Sequence, residues 1–205
     1  KKDPSYIFNT LPKGVTYFVH VGEEGPLDKN CGLSRKDFQA FLQHEKSESV
    51  GLHPSFHSHL DIDELIFELE QLEVISDLQI SKTRQHYIKI KLPYTYELLE
   101  ELGMEKDYSM GWPDIPGYRV GTNYPYYFFN LKTNEQSKLK IQPFAWMDTH
   151  FIFHKADLAQ MEKQFYKYWN DVIEYGGVFT PIFHNNHFQQ HPNNYKLLEE
   201  LCKQG

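Results

Sequence analysis

Apolar residues recur along the chain in two alternating rhythms. Val15-Thr16-Tyr17-Phe18-Val19 is a β-branched and aromatic run followed by Gly22 and Gly25, which predicts a buried strand. Phe38, Phe41 and Leu42 then fall at helical spacing, predicting a helix over about residues 35–45 with Ser34 as its N-cap. Val50-Gly51-Leu52 predicts a second strand, ending at His53-Pro54. Ile62, Leu65, Ile66, Leu69 and Leu72 make the apolar stripe of an amphipathic helix over 61–75. From His86 to Lys91 apolar and polar residues alternate as in a strand, and Pro93 breaks the run. A helix over 94–102 is closed by Gly103. Strands are also predicted at 108–112, 126–131, 140–144 and 178–183. A long helix is predicted over about 156–175, stopping at Gly176-Gly177, and a short last one over 195–203.

Strand and helix in alternation predict an α/β domain with a mainly parallel sheet. Residues 112–145 depart from the pattern, with no helical stripe, and predict an inserted hairpin. No internal repeat, low-complexity segment or linker divides the chain. Its 205 residues, 40% of them hydrophobic, are expected to form a single domain over 1–205.

Charge removes some classes of partner. Lys and Arg total 21 against 28 Asp and Glu, a net charge of −7, and no basic stripe is present. Nucleic acid and anionic membrane are therefore not expected partners. No run approaches the roughly 18 apolar residues of a membrane span, and no signal peptide opens the chain. Cys31 and Cys202 are too few for a disulfide framework. The chain begins with Lys1, so it is expected to be a piece of something longer.

In parallel α/β sheets chemistry gathers at the C-terminal ends of strands. There the predicted strands place His53 and His57, then Trp112 and Asp114, then Trp146 and Asp148, and finally His184, Asn185, Asn186 and His187. Asp107 falls just before strand 108–112. Arg84 and His86 open their strand, and reach the same rim only if that strand lies earlier in the chain. Neutral imidazole is the commonest zinc ligand, and two imidazoles plus a carboxylate leave a position for an activated water.

The segments GLHPSFH, RQHYIKI, GYRVGT, PFAWMD and FTPIFHNN, in that order between residues 15 and 190, resemble the polysaccharide deacetylases. These carbohydrate esterases remove N- or O-acetyl groups from sugar polymers with one divalent metal. The resemblance implies a distorted (β/α) barrel of seven or eight mainly parallel strands. It implies His53 and His57 as ligands of the metal, zinc by preference, Arg84 as a catalytic-site arginine and His184 as the general acid. Arg84 would hold an active-site carboxylate by a bidentate pair. Trp112, Arg119, Trp146, Asp148 and His86 would contact an acetylated polysaccharide or glycan substrate. Tyr124 and Tyr126 are further candidates to stack on sugar rings.

Bland readings stand beside these. His59 reads as a solvent-facing neighbour, His86 equally as a satisfied interior histidine, and Asn185, Asn186, His187 and His191 as a polar loop. Asp148 could orient a histidine, line the groove or sit in a simple turn.

One departure is large. The family's first motif, a strand with two aspartates that serve as base and third metal ligand, should precede residues 15–19. The one carboxylate there is Asp3, and KKDPSYIFNTL reads as the helix that follows such a strand. The barrel is therefore expected to lack its first strand, through truncation or through loss of the base. Two other functions remain open: a non-catalytic carbohydrate-binding or structural domain on the same fold, and a metal-dependent amidohydrolase acting on a small acylated molecule.

Overall fold

In the computed structural model, residues 14–29, 33–152, 157–188 and 191–204 are described. They fall into two compact units, the first built from residues 16–109 and 126–142, the second from 110–125 and 143–205 with the start of the chain.

The first unit is a mixed α/β layer around a six-stranded, mostly parallel sheet. Its strands are β1 (Tyr17–His20), β2 (Val50–His53), β3 (Lys82–Thr83), β4 (Lys106–Asp107), β5 (Tyr126–Asn130) and β6 (Glu135–Ile141), in spatial order β1-β2-β3-β4-β6-β5. All neighbours are parallel except the hairpin pair β5 and β6, the insertion expected within 112–145. The β1–β2 register sets His20 against His53, so both histidines reach the same end of the sheet. Helices α1 (Lys36–His44), α2 (Ile62–Ser76) and α3 (Tyr94–Glu101) carry the crossovers. Leu42, Val50, Leu52, Leu65, Leu72, Tyr96, Leu139 and Ile141 are fully buried between helices and sheet.

Local signals explain most of the boundaries. Asp61 caps α2 by accepting from the backbone N–H groups of Asp63 and Glu64, and Asp77 ends it in the left-handed region at φ 59°. At α1 the cap residue is Arg35 with no side-chain cap bond, not Ser34 as expected. The alternation of residues 86–91 does not make a strand. The strand is Lys82–Thr83, and His86–Ile88 form a 3-10 turn with Tyr87 at φ 54° and Ile88 at φ 55°. Likewise the strand expected at 108–112 lies at 106–107, and Asp107 belongs to it. Gly51 admits a close approach in β2: a Cβ there would stand 2.7 Å from the Phe18 ring.

The second unit holds α4 (Thr149–Ile152), α5 (Leu158–Tyr175) and α6 (Pro192–Gln204). Asp157 caps α5 through Ala159 N–H. Residues 178–183 do not form a full strand; a single parallel bridge joins Met147 and Ile182, with Asp148 N–H donating to Ile182 O and Ile182 N–H to Trp146 O. Its core is aromatic, with Trp146, Phe151, Met161, Phe165, Tyr168, Trp169 and Leu197 buried together.

Candidate functional site

Chemistry-bearing side chains concentrate in two places, one in each unit. In the first unit, His20 ends β1, His53 ends β2 and His86 follows β3. The earlier position of β3 is what brings Arg84 and His86 to the C-terminal rim. Each histidine spends one ring nitrogen on a backbone carbonyl. His20 Nδ1 lies 3.0 Å from His53 O, His53 Nδ1 2.6 Å from Arg84 O and His86 Nε2 2.9 Å from Leu27 O. A carbonyl accepts only, so each of those nitrogens carries a proton. His53 Nε2 and His86 Nδ1 face one another at 2.9 Å. His20 Nε2 is buried with no hydrogen-bond partner and lies 3.5 Å from Asp28 Oδ1, which is also 3.7 Å from His86 Nε2. Asp28 is buried and accepts from Phe56 N–H at 2.9 Å. Burial, followed by the adjacent His86, holds the His53 pKa well below its ordinary 6.5.

The remaining residues of the GLHPSFHSH segment are scattered. His57 is exposed and lines a polar pocket of about 300 Å³ with Glu23, Asp28, Ser55, Asp61 and Glu64. His59, expected to face solvent, is instead buried in the 3-10 turn Ser58–Leu60, where burial and then Lys89 lower its pKa. The turn folds it inward because Thr95 Oγ1 donates to its carbonyl. Arg84 is half-buried. Its guanidinium lies 4.2 Å over the Phe18 ring and its Nε donates to Tyr108 O at 3.4 Å. The carboxylate expected to pair with it bidentately is not found among the described residues. Burial lowers its pKa to about 10.

In the second unit Asp148 is fully buried on the loop into α4. His184 Nδ1 donates to its Oδ1 at 2.6 Å. Its Oδ2 accepts from His184 N–H at 2.9 Å, from His187 Nδ1 at 3.2 Å and from Asn194 Nδ2 at 3.5 Å. Burial pushes the carboxyl up, but the bonds from His184 and His187 outweigh it and hold the pKa down to about 2. The His184 side chain is 38% exposed, so its outer nitrogen is accessible from solvent while its inner one is fixed. Among the described residues, Asp148, His184 and His187 form a group whose ligand-type atoms all lie within 4.8 Å of one another, a set that could hold a metal ion. The 2.6 Å contact is nonetheless a charge-assisted hydrogen bond, and donors already occupy both carboxylate oxygens.

The expected substrate contacts divide. Trp112 is 40% exposed, with the Arg119 guanidinium 5.2 Å over its ring. Tyr124 is exposed and donates to Tyr175 O. Trp146 is a correction: it is fully buried, packs on Phe165 and Phe183, and donates to Met161 O, so it is core and cannot stack on a sugar. Asp148 has no exposed surface, which makes it an orienting carboxylate instead of a groove residue. His187, expected in a polar loop, turns inward onto Asp148, whereas Asn185 and Asn186 are exposed as expected. His20, Asp28 and the pairing role of His187 were not anticipated. The cue for His20 is its place at the end of the strand at 17–20. For His187 it is the three-residue spacing from His184, which a 3-10 turn places on one side.

No protein-family model matches the chain, and no curated protein matches it. The crystal structure of a Mycobacterium smegmatis protein provisionally described as a polysaccharide deacetylase is similar in fold. Its TM-score is 0.60 at 18% identity, over 98% of this chain and 69% of that one. At that identity the likeness establishes an α/β fold shared with that protein. Among the described residues no helix is long and apolar enough to cross a membrane.

Proposed function

We infer that the protein is a metal-dependent hydrolase that removes N- or O-linked acetyl groups from a sugar polymer or glycan and releases acetate. The observation that carries this reading is the buried Asp148 carboxylate clamped to Nδ1 of the half-exposed His184. The fold likeness to a protein described as a polysaccharide deacetylase supports the substrate class. The same reading takes residues 1–205 as one deacetylase-like domain, supported by the 98% coverage. It takes the parallel run β1 to β4 as part of a distorted barrel.

Asp148 holds the proton on His184 Nδ1, which fixes the tautomer and leaves Nε2 as the atom that exchanges protons with substrate. With its pKa near 2, Asp148 stays ionised and stabilises the imidazolium form that a general acid needs. His184 Nε2 then gives its proton to the departing amine or alkoxide. His187 and the His184 backbone N–H keep the carboxylate from rotating. A divalent metal of the zinc type would be held, on the family resemblance, by His53 and His57, while among the described residues the three-residue group whose ligand-type atoms lie close together is Asp148, His184 and His187. When bound, that metal supplies a polarised carbonyl and a water of lowered pKa. In the family's scheme an aspartate takes the water's proton; Asp3 lies outside the described residues.

Acetate release from acetylated chito-oligosaccharides and acetylated xylan, in the presence of zinc, tests the reading. The wild-type protein should release acetate and His184→Gln should not. A protein that binds these glycans without releasing acetate would be a non-catalytic binding domain instead.

A further inference from the structure

We propose that Asp148, His184 and His187 take up a divalent cation of the zinc type in exchange for the two ring protons they now share, and that a cation there switches off His184 as a proton donor. The ligand set stands on the geometry of the group alone; the loss of activity rests on the deacetylase reading. The group then has two alternative occupants, a pair of protons or a metal, and it uses neither His53 nor His57.

Short segments bring the group together. Asp148 N–H donates to Ile182 O at 3.1 Å, which lays the segment carrying His184 alongside the loop into α4. The 3-10 turn Asn185–His187, closed by His187 N–H on His184 O, sets the two rings on one side. Their ligand-type atoms and those of the carboxylate all lie within 4.8 Å of one another. Zinc takes such ligands at about 2.0–2.2 Å, which under tetrahedral angles sets them about 3.3 Å apart. His187 Nδ1 already stands 3.2 Å from Asp148 Oδ2. His184 Nδ1, at 2.6 Å from Oδ1, is closer than two ligands of one metal stand, and draws back by about 0.7 Å on metal entry.

Asn194 points to the same place. It is fully buried on α6, and its Nδ2 reaches Asp148 Oδ2 at 3.5 Å, long for a hydrogen bond. Its Oδ1 has no hydrogen-bond partner among the described residues. A buried acceptor left unmet is costly in a folded interior. Turning the amide over presents that oxygen to a cation beside Oδ2 as a further donor. The buried Asp148 supplies the negative charge, and the His184 side chain, 38% exposed, leaves a way in from solvent.

The exchange balances simply. Each Nδ1 sheds its proton, to the ring's own Nε2 where the ring is neutral and to solvent where it is protonated, and the freed lone pair binds the metal. The His184 backbone N–H stays on Oδ2. A His184 ring with Nδ1 on zinc cannot hold the second proton that makes it an imidazolium, so it has none to give to a leaving group.

Zinc uptake from zinc chloride is measured on the full chain by equilibrium dialysis and elemental analysis. Ring-nitrogen NMR shifts, read through the carbon-bound ring protons, report which nitrogens change. Zinc should convert Nδ1 of both His184 and His187 from the protonated to the metal-bound kind. His53→Ala, which removes a ligand the family resemblance offers, should still retain about one equivalent, and adding His187→Gln should abolish that retention. Circular dichroism shows whether each variant is folded, and the wild-type NMR carries the test if one is not. Zinc uptake that leaves both Nδ1 atoms protonated overturns the proposal. So does a wild type that takes up no zinc, and so does unchanged retention in the folded double variant. Acetate release is scored separately: the wild type should be active at low zinc and suppressed by excess. Release that persists with zinc on both rings overturns the switching-off of His184. Zinc on both rings in excess, with no release at any zinc concentration, would defeat the deacetylase reading and leave the ligand set standing.

Discussion

Glu68→Gln should stabilise the protein at pH 8 and do little at pH 5. Glu68 is fully buried on α2, with both carboxyl oxygens turned to Ser55 N–H at 3.2 and 2.9 Å. Burial dominates those bonds and raises its pKa from an ordinary 4.5 to about 7. A carboxyl whose pKa is raised by folding is protonated more readily in the native state, so folding takes up protons between pH 4.5 and 7. Stability on this account is greatest below 4.5 and falls as the pH rises. The full penalty, about 3 kcal/mol, is present above 7. Glutamine keeps a carbonyl for Ser55 N–H and removes the charge, but adds an amide whose unmet hydrogen bonds cost on the order of 1 kcal/mol. The variant should therefore gain about 2 kcal/mol at pH 8 and be neutral or slightly destabilised at pH 5. Urea unfolding at the two pH values reads this as a midpoint raised by about 1 M at the higher pH alone. Equal destabilisation at both would refute the argument, because it would mean that Glu68 acts through its hydrogen bonds and not through a buried charge.

Other outcomes follow from the same structure. Asp148→Asn, which leaves His184 without its anionic partner, should lower kcat by about 10² to 10⁴ with a smaller change in KM, read by acetate release. Gly111→Ala should destabilise by about 1–3 kcal/mol in thermal melts, because a Cβ there would stand 2.3 Å from carbons of the buried Phe144 ring. Trp146→Ala should cost about 3–5 kcal/mol of stability. Trp112→Ala should leave stability nearly unchanged and raise KM for a polymeric substrate, as expected of an exposed ring.

Where a hydrophobic stripe and an end signal coincided, the elements were legible in the sequence. The helix expected over 61–75 from the stripe Ile62 to Leu72 lies within one residue of the observed α2 at each end. Strand β2 and helices α3 and α5 were legible for the same reason. Residues 86–91 misled because alternation is also what a turn of mixed polarity looks like when its backbone enters the left-handed region. Nothing in Tyr87 or Ile88 announces a positive φ. The error mattered for the site, since moving the strand back to Lys82–Thr83 carries Arg84 and His86 to the chemical rim. His184 could be picked out by its place after an apolar run. Its partner Asp148 lies 36 residues earlier, and whether that aspartate faced a ring, a groove or a turn depended on packing that local pattern does not encode. Trp146 shows the same limit from the other side: a tryptophan beside a polar motif can stack on a ligand or fill a core, and here it fills the core.

Acetate release is the most direct test of the central claim, measured on acetylated oligosaccharides with zinc present, for the wild-type chain and His184→Gln side by side. The account predicts release by the wild type and a loss of about 10² or more in the variant, with both proteins folded. Release that is unchanged in His184→Gln would contradict it, and so would its absence from a zinc-loaded wild type.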